Sequence, residues 1–282
     1  MKKKIIIAGI IIAFLAVFLY LQNNWIGTNR LELAFERLPE SFEEFKIIQL
    51  SDLHGKAFGA GQQRLVRILK KAEPDMIVIT GDLIDGKRLG EQAALELVSE
   101  AVKIAPVYFV TGNHEWWSGI FGTLEARLKE AGAAVLRNEW KEIDVRGQKI
   151  CLAGVDDPAS AGRGPGETGF TESTLQEVAA SMPEDSFKIL LSHRPEKLPQ
   201  YSAGGFDLVF SGHAHGGQFR LPFTGGLFAP DQGFFPEYTS GVHREQSTVM
   251  VISRGLGNSI IPQRLFNRPE VVQVTLKGAG DM

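Results

Sequence analysis

Five apolar segments of this chain each end in a cluster of aspartate, asparagine or histidine, and this pattern constrains the fold most. The segments end at Leu50, Ile79, Val110, Leu191 and Phe210, and the polar residues follow each within about three positions. Short apolar runs of this kind predict buried strands. In α/β folds, ligands bind at the carboxyl ends of the strands. We therefore expect the five clusters to meet at one site.

The remaining pattern predicts the architecture around these strands. Helical periodicity covers about 62–72, 90–103 and 120–131, whereas the last third of the chain is rich in Gly, Pro and Phe with β-like runs. Strand–helix alternation followed by β-rich sequence predicts an α/β fold, with two packed mixed β-sheets flanked by helices. Neither a repeat nor a linker divides residues 45–277, so we expect them to form one domain.

Residues 5–21 contain no charge and almost no polar atom, which is typical of a membrane-spanning helix. At about 1.5 Å per residue this run spans about 25 Å, near the lower limit for crossing a bilayer. Lysines precede it and no clear cleavage site follows, which favours an uncleaved anchor over a signal peptide. We assign 1–26 to a transmembrane signal anchor and 27–44 to a short tether and first strand.

The charges that flank this run predict its orientation. Lys2, Lys3 and Lys4 precede the run, and only Arg30 follows it closely. Such a bias places the N-terminus in the cytoplasm. We expect a single-pass protein of the cell membrane whose domain is extracytoplasmic.

Composition argues against one class of partner. Thirty basic and thirty-three acidic residues give a net charge of −3, whereas proteins that coat nucleic acid are usually basic. We therefore expect no nucleic-acid partner, while a small anionic substrate stays compatible because metal ions supply positive charge. The single cysteine, Cys151, lies in an apolar run, which predicts a buried thiol rather than a metal ligand.

The residues in the five clusters are of types that bind metal ions. Asp52 and His54 are two positions apart, as are His213 and His215, so an extended backbone would place each pair on one face. A mixture of imidazoles and carboxylates suits Mn, Fe or Zn better than Mg or Ca, which prefer oxygen ligands.

The order of these motifs resembles that of a known family. The chain has Asp-x-His at 52–54, Gly-Asp at 81–82, Gly-Asn-His-Glu at 112–115, a later His193, and Gly-His-x-His at 212–215. The ordered set resembles the calcineurin-like metallophosphoesterase superfamily and covers residues 45–218. Within this superfamily, the N-terminal anchor and the Gly-Gly-Gln at 216–218, directly after the last motif, resemble the bacterial YkuE/YaeI-like branch of membrane-associated phosphodiesterase-like proteins. A four-layer sandwich of helices and sheets is the implied fold.

The resemblance also implies roles. Two divalent transition-metal ions, Mn, Fe or Zn, would be held as follows: the first by Asp52, His54 and His215, the second by Asn113, His193 and His213, and both by Asp82. A hydroxide between the ions would attack the phosphorus. His114 would be the catalytic residue that stabilises or protonates the leaving group, with Asp52 as its expected partner.

The implied activity is hydrolysis of a phosphodiester or pyrophosphate in a small or membrane-associated phosphoester. One alternative is an enzyme like the UDP-2,3-diacylglucosamine pyrophosphatases of lipid A synthesis, but that substrate lies on the cytoplasmic side and conflicts with the predicted orientation. A nuclease is another alternative, but this chain lacks the basic tract expected of one. A non-catalytic scaffold would be expected to have lost ligands, and here every motif is present.

Aromatic residues follow two of the motifs. They are Trp116, Trp117, Phe219, Phe223, Phe228, Phe234 and Phe235. Core packing is one interpretation, and the other is an apolar approach surface for an amphiphilic substrate near a bilayer. Weaker candidates for substrate contact are Asp156, Asp157 and Arg254, for which turn capping or structural ion pairing is the alternative.

Overall fold

The computed structural model describes residues 2–162, 166–221, 224–258 and 261–281. Its helices are α1 (Lys2–Asn24), α2 (Gln63–Ala72), α3 (Glu91–Ala101), α4 (Asn113–Trp117), α5 (Phe121–Glu130), α6 (Gly166–Ser181) and α7 (Leu198–Ala203). Its strands are β1 (Gly27–Phe35), β2 (Lys46–Leu50), β3 (Met76–Thr80), β4 (Val107–Val110), β5 (Ala134–Val135), β6 (Glu139–Val145), β7 (Gln148–Gly154), β8 (Lys188–Leu191), β9 (Leu208–Ser211), β10 (Arg220–Leu221), β11 (Gly225–Gly226), β12 (Phe228–Ala229), β13 (Gly233–Phe234), β14 (Gly241–Glu245), β15 (Thr248–Ile252) and β16 (Glu270–Gly278).

The first sheet has the order β1-β16-β2-β3-β4-β5. Strands β2 to β5 are parallel, and β16 is antiparallel to β2. Every residue of β3 is buried, because both faces of the sheet are covered. Apolar residues of α2, α3 and α5, among them Leu65, Leu97 and Leu124, pack on the outer face.

The second sheet has the order β14-β15-β9-β8-β7-β6. Its four inner strands are parallel, whereas β14 and β6 at the two edges are antiparallel to their neighbours. Helices α6 and α7 cover its outer face, where Leu175, Leu198 and Tyr201 join one apolar cluster. The antiparallel edge strands leave a parallel centre whose carboxyl ends lie together.

The inner faces of the two sheets form the central core. Ile47 and Val78 of the first sheet belong to the same buried cluster as Ile189 and Phe210 of the second. The side chain of Gln49 also bridges the sheets, because its Nε2 donates to Ser211 O at 2.8 Å. The order is therefore helices, sheet, sheet, helices, and the predicted four-layer fold is confirmed.

The segment 27–44 contributes a strand that is part of the first sheet. Strand β1 is parallel to β16 along its whole length, from the pair Gly27↔Glu270 to the pair Phe35↔Gly278. The sequence predicted a strand only from Leu31, because the side chains of the first residues are not buried and show no apolar alternation. Only Trp25 and Ile26 separate α1 from this strand.

Helix α1 is, among the residues that the structure describes, the one helix long and apolar enough to cross a membrane. Its side chains are exposed over most of its length, and Gln22 near its end is the buried residue. Such exposure of apolar residues is expected for a helix that lipid surrounds.

Candidate metal centre

The structure brings all seven predicted ligands together at the carboxyl edges of the two sheets. The loops after β2 and β3 carry Asp52, His54 and Asp82, the first residue of α4 after β4 is Asn113, and the loops after β8 and β9 carry His193, His213 and His215. All seven residues are buried. Their meeting follows from the parallel strands, whose carboxyl ends point to the same edge.

Four side chains form the first cluster. Asp52, His54, Asp82 and His215 each offer a ligand atom, and these atoms lie within 4.8 Å of one another. The Nε2 atoms of His54 and His215 are 2.9 Å apart. The Nε2 of His215 is 3.3 Å from Asp52 Oδ1, and that of His54 is 3.6 Å from Asp82 Oδ2. The donor atoms thus surround a common point.

A second cluster shares Asp82 with the first. Asp82, His193 and His213 offer atoms within 4.8 Å of one another. The Nε2 of His193 is 3.2 Å from Asp82 Oδ2 and 3.2 Å from His213 Nδ1. Nearby, the buried Oδ1 of Asn113 has no hydrogen-bond partner among the described residues. A buried amide oxygen without a partner is unfavourable unless a cation or water binds it.

The electrostatics of the two clusters fit divalent cations. Burial lowers the pKa of His54 to about 3 and that of His215 well below its ordinary value, so both rings are neutral and have a free lone pair. Burial raises the pKa of Asp52, and the charge of Asp82 adds to this effect. Two buried carboxylates this close require compensating positive charge, and a metal ion supplies it.

Five of the seven residues adopt left-handed backbone conformations. The φ angles of Asp52, His54, Asp82, His213 and His215 lie between 48° and 66°. Extended backbone was expected at two pairs of residues, 52/54 and 213/215, and this expectation is wrong. Sharp turns bring the side chains together instead. Such conformations cost about 1–3 kcal/mol each and concentrate at functional sites.

Two glycines allow the loops to approach each other. Gly81 has a φ of 85°, and a Cβ there would lie 2.6 Å from both Gly112 N and His193 Nδ1. A Cβ on Gly212 would lie 2.0 Å from Ser51 Oγ. Because no side chain fits at either position, the motif glycines are required for backbone contact between neighbouring loops.

The histidines of the second cluster are oriented by neighbours. His193 Nδ1 is 2.7 Å from Thr80 O and donates a proton there, so its Nε2 faces Asp82. Against the effect of burial, the charge of Asp82 raises the pKa of His193 to about 10, and a metal ion would take the place of the proton on Nε2. His213 Nε2 is 2.9 Å from Asp231 Oδ2. Arg194 also lies 3.2 Å from His213 Nε2 and forms a two-point ion pair with Asp157. The sequence indicated no role for Asp231 or Arg194.

Glu115 is a further residue without a predicted role, although it belongs to the Gly-Asn-His-Glu motif. Its Oε2 accepts hydrogen bonds from Gly112 N at 2.7 Å and Asp82 N at 2.9 Å. Burial and the nearby charge of Asp82 raise its pKa to about 8. Glu115 therefore joins the loops after β3 and β4, and this contact positions Asp82.

His114 contacts a different partner from the one expected. Its Nδ1 accepts a hydrogen bond from Gly86 N at 2.8 Å and lies 3.8 Å from Asp85 Oδ2. The prediction of Asp52 as partner is wrong, because that carboxylate accepts a hydrogen bond from His213 N in the first cluster. Acceptance at Nδ1 leaves the proton of the neutral ring on Nε2, so Nε2 can act as a donor.

The weaker candidates have structural contacts. Asp157 caps the turn at Ala159 N and pairs with Arg194, while Asp156 pairs with Arg137. Arg254 lies 3.7 Å from Glu270. These contacts favour the structural interpretation of all three.

The predicted aromatic group divides into two kinds of residue. Trp116 is half-buried against the first core, and Phe219 is half-buried too. Trp117 is 41% exposed with its ring 5.1 Å from that of His114. Phe228, Phe234 and Phe235 are exposed, whereas Phe223 lies outside the described residues.

A cavity of about 400 Å³ opens beside the first cluster. It is lined by His54, Gly55, Lys56, Arg88, Gly90, Asn258 and Pro262. Lys56 Nζ donates to the carbonyl of Asn23, at the end of α1, at 2.5 Å. Burial and the charges of Arg264 and Arg64 lower the pKa of Lys56 to about 7. The cavity therefore joins a candidate metal ligand to the end of the apolar helix in a region of positive charge.

Comparison with known proteins identifies the class to which this fold and site belong. The calcineurin-like phosphoesterase family matches residues 45–217. The chain therefore belongs to the calcineurin-like metallophosphoesterases and is a metal-dependent phosphoester hydrolase, as the motifs predicted.

Three relatives narrow this placement. The metallophosphoesterase YkuE of Bacillus subtilis is 31% identical over 265 residues, covering 92% of this chain and 88% of YkuE. The phosphodiesterase YaeI of Escherichia coli is 28% identical over 262 residues, with 91% and 90% coverage. A transmembrane protein with metallophosphoesterase domain from Danio rerio is 33% identical over 260 residues, covering 88% of this chain and 56% of that protein. Together with α1, the transmembrane relative from Danio rerio suggests a membrane protein.

Proposed function

We propose that this protein is a two-metal hydrolase that cleaves a phosphodiester or pyrophosphate in a lipid of the membrane in which α1 is anchored. The observation that carries this proposal is the cavity between the first cluster and the end of α1. His54 lines this cavity, and so does Lys56, whose Nζ contacts Asn23 at the end of the helix. A phosphoester bound there is at the level of the lipid headgroups.

The proposed ligands are distributed over two ions. Asp52, His54 and His215 would hold the first, Asn113, His193 and His213 would hold the second, and Asp82 would contribute to both. The presence of Asp82 in both clusters and the unpartnered oxygen of Asn113 support this assignment. When bound, two divalent cations supply Lewis-acid activation of water and of the phosphoryl oxygens. Four nitrogen ligands among the seven favour Mn, Fe or Zn over Mg or Ca.

His114 is the residue that we propose stabilises the leaving group. Its side chain is 14% exposed at the edge of the first cluster, and its ring lies 4.6 Å from that of His54. Because Gly86 donates to Nδ1, the neutral ring carries its proton on Nε2 and can donate a hydrogen bond to the leaving oxygen, which stabilises the charge that develops there. Asp85 Oδ2 lies 3.8 Å from Nδ1 at the same edge of the site.

Charge around the cavity supports an anionic substrate. Lys56 and Arg88 line it, and the buried guanidinium of Arg264 lies behind the first cluster. Arg88 pairs with Asp85 and donates to Asn258 O, so it is already oriented at the rim. These cations suit a second phosphate or an acidic headgroup next to the reacting one.

The membrane side follows from the charges that flank the helix. Three lysines precede the apolar run, and the domain follows it. We propose that the N-terminus is cytoplasmic and the domain extracytoplasmic, in a single-pass protein of the cell membrane.

The test compares ester classes, metals and substrate location. Purified protein is assayed on bis-p-nitrophenyl phosphate and p-nitrophenyl phosphate with Mn, Fe, Zn and Mg in turn. The preferred metal is then used with one phosphodiester headgroup in two forms, as a soluble short-chain ester and as a long-chain lipid in vesicles. We expect faster diester hydrolysis with a transition metal and a higher kcat/KM for the vesicle lipid. Equal kcat/KM for the two forms would refute the lipid substrate but not the hydrolase.

A further inference from the structure

The last turns of α1 are docked on the domain. Asn23 Nδ2 donates to Pro262 O at 3.0 Å, and its Oδ1 accepts from Arg264 N at 2.8 Å. Gln263 Nε2 donates to Leu19 O, one turn earlier in the helix, at 3.1 Å. A segment of the domain therefore lies beside the final turns of the helix, and the position of α1 relative to the domain is fixed.

This contact extends into the apolar part of the helix. The rings of Phe18 and Phe266 have centroids 5.7 Å apart. Phe18 precedes Asn24 by six residues, or about 9 Å along the axis, and lies within the apolar run 5–21. Phe266 belongs to the domain and is 52% exposed. If lipid surrounds Phe18, it also reaches Phe266.

The segment that follows the last motif continues this apolar surface. Arg220 N donates to Leu265 O at 3.0 Å, which joins β10 to the segment beside the helix. The paired strands β10–β11 and β12–β13 then expose Phe234, which is 73% exposed, and Phe235, which is 67% exposed. Leu221 and Phe228 are exposed on the same strands. We define the aromatic surface as Leu221, Phe228, Phe234, Phe235 and Phe266.

We propose that the aromatic surface is embedded in the outer part of the same bilayer that α1 spans, so that the domain itself contacts lipid. An exposed apolar surface marks an interaction site, and Phe266 of this surface contacts Phe18 of the lipid-facing helix. At its border Arg268 lies over the ring of Trp25 at 5.0 Å, an arrangement that suits the headgroup layer.

The length of the helix independently favours this arrangement. The apolar run covers about 25 Å, whereas the hydrocarbon core is about 30 Å thick. The domain already lies beside Leu19 and Phe18 of α1. The part of the apolar run that has no contact with the domain is therefore even shorter than about 25 Å. A domain held above the headgroups would leave the helix too short, whereas a partly embedded domain removes this mismatch.

The test measures the depth of single side chains in the full-length protein. Nitroxide labels are attached to Phe234→Cys and Phe266→Cys in lipid nanodiscs, and their collision rates with oxygen and with a water-soluble nickel chelate are compared. Lys149→Cys is the matched control, because Lys149 is exposed at the start of β7, at the end of the second sheet away from the metal centre. Cys151 is buried and does not need replacement.

We expect a several-fold higher oxygen-to-nickel ratio at positions 234 and 266 than at 149. Equal ratios at the three positions would overturn the proposal. Exclusion of both reagents, with spin–spin broadening between two copies, would identify a protein partner instead and would also overturn it. Position 234 is decisive if the label at 266 disturbs the contact with Phe18. The measurement needs neither metal nor substrate, so its result is independent of the proposed activity.

Discussion

The metal centre and the aromatic surface lie on the same side of the two sheets, but they are built in opposite ways. The seven candidate ligands are buried, and loop-to-loop hydrogen bonds and ion pairs hold the segments that carry them. The aromatic side chains are exposed on short paired strands. The fold thus fixes the first region by itself, whereas it leaves the apolar side chains of the second region uncovered. The buried region depends on precise distances between side chains, whereas the exposed region depends only on where its side chains lie on the surface.

Arg264 connects the two regions. Its buried guanidinium donates to the carbonyl oxygens of Gly257 at 3.0 Å and Arg254 at 2.9 Å, and lies 3.5 Å from His215 Nδ1. Its backbone N–H bonds to Asn23 in α1. Arg264 therefore joins α1 to the loop that lies behind a candidate ligand.

The largest effect is expected from the centre of the buried region. Asp82→Asn removes the charge shared by both clusters with little change of shape, so hydrolysis of bis-p-nitrophenyl phosphate should fall below detection and metal content should drop. Elemental analysis and the assay measure the two effects. Asp144→Asn is the control, because Asp144 is an exposed carboxylate near the end of β6, beside the β6–β7 turn. Full activity with two bound metals in the Asp82 variant would refute the bridging role.

A smaller effect is expected from His114 at the rim of the same region. His114→Ala removes the proposed donor to the leaving oxygen but no proposed ligand, so kcat should fall by about 10²–10⁴ while metal content is unchanged. His243→Ala is the matched control, since His243 lies on β14, outside both clusters, and its side chain bonds to Ser240 O. Loss of metal from the His114 variant would instead make His114 a ligand.

The connection between the regions is tested at Arg264. Arg264→Lys keeps the charge but loses the planar fork that binds several carbonyl groups, and each hydrogen bond to a charged group contributes about 1.5–3 kcal/mol. We expect the free energy of unfolding to fall by about 2 kcal/mol, measured as a lower thermal midpoint. Arg244→Lys, at an exposed position on β14, should leave the midpoint unchanged. A similar midpoint in both variants would contradict the structural role of Arg264.

The smallest effect is expected where α1 meets the domain. Asn23→Ala removes hydrogen bonds to Pro262 and Arg264, a loss of about 1 kcal/mol, so the helix should move more freely on the domain. We expect lower kcat/KM for a vesicle lipid and unchanged kcat/KM for a soluble ester. Asn24→Ala is the control, because the side chain of Asn24 bonds within the helix to Tyr20 O. Parallel losses on both substrates would show that the contact supports the whole domain.

The sequence predicted the layered fold and the family because both depend on local patterns. Apolar runs identified the buried strands. Parallel strands place residues such as Asp82 and His193 at the same edge, whatever path the connecting loops take. The left-handed turns were missed because Asp and His, although they adopt positive φ more often than most residues, do so only in a minority of cases. The sequence also missed Asp231, which reaches His213 only after the chain returns through a segment without a motif.

The membrane side of the molecule was predicted less completely. Apolarity identified α1, and the aromatic group included both packed residues such as Trp116 and exposed ones such as Phe234. Neither Phe266 nor the contact with Phe18 was predicted, because that pair is separated by almost the whole chain. Periodicity carries no information about such a distant pairing.

The pairing of β1 with β16 has a consequence for biosynthesis. Strand β1 follows the anchor directly, yet β16, the strand that it pairs with, is the last of the described strands and is translated more than two hundred residues later. Until β16 is synthesised, β1 lies beside the membrane without its partner strand. The first sheet is completed only after β16 has left the ribosome. Ribosomes stalled before residue 270 should therefore carry an anchored chain whose first strand is still accessible to proteases, and release of the finished chain should remove that sensitivity.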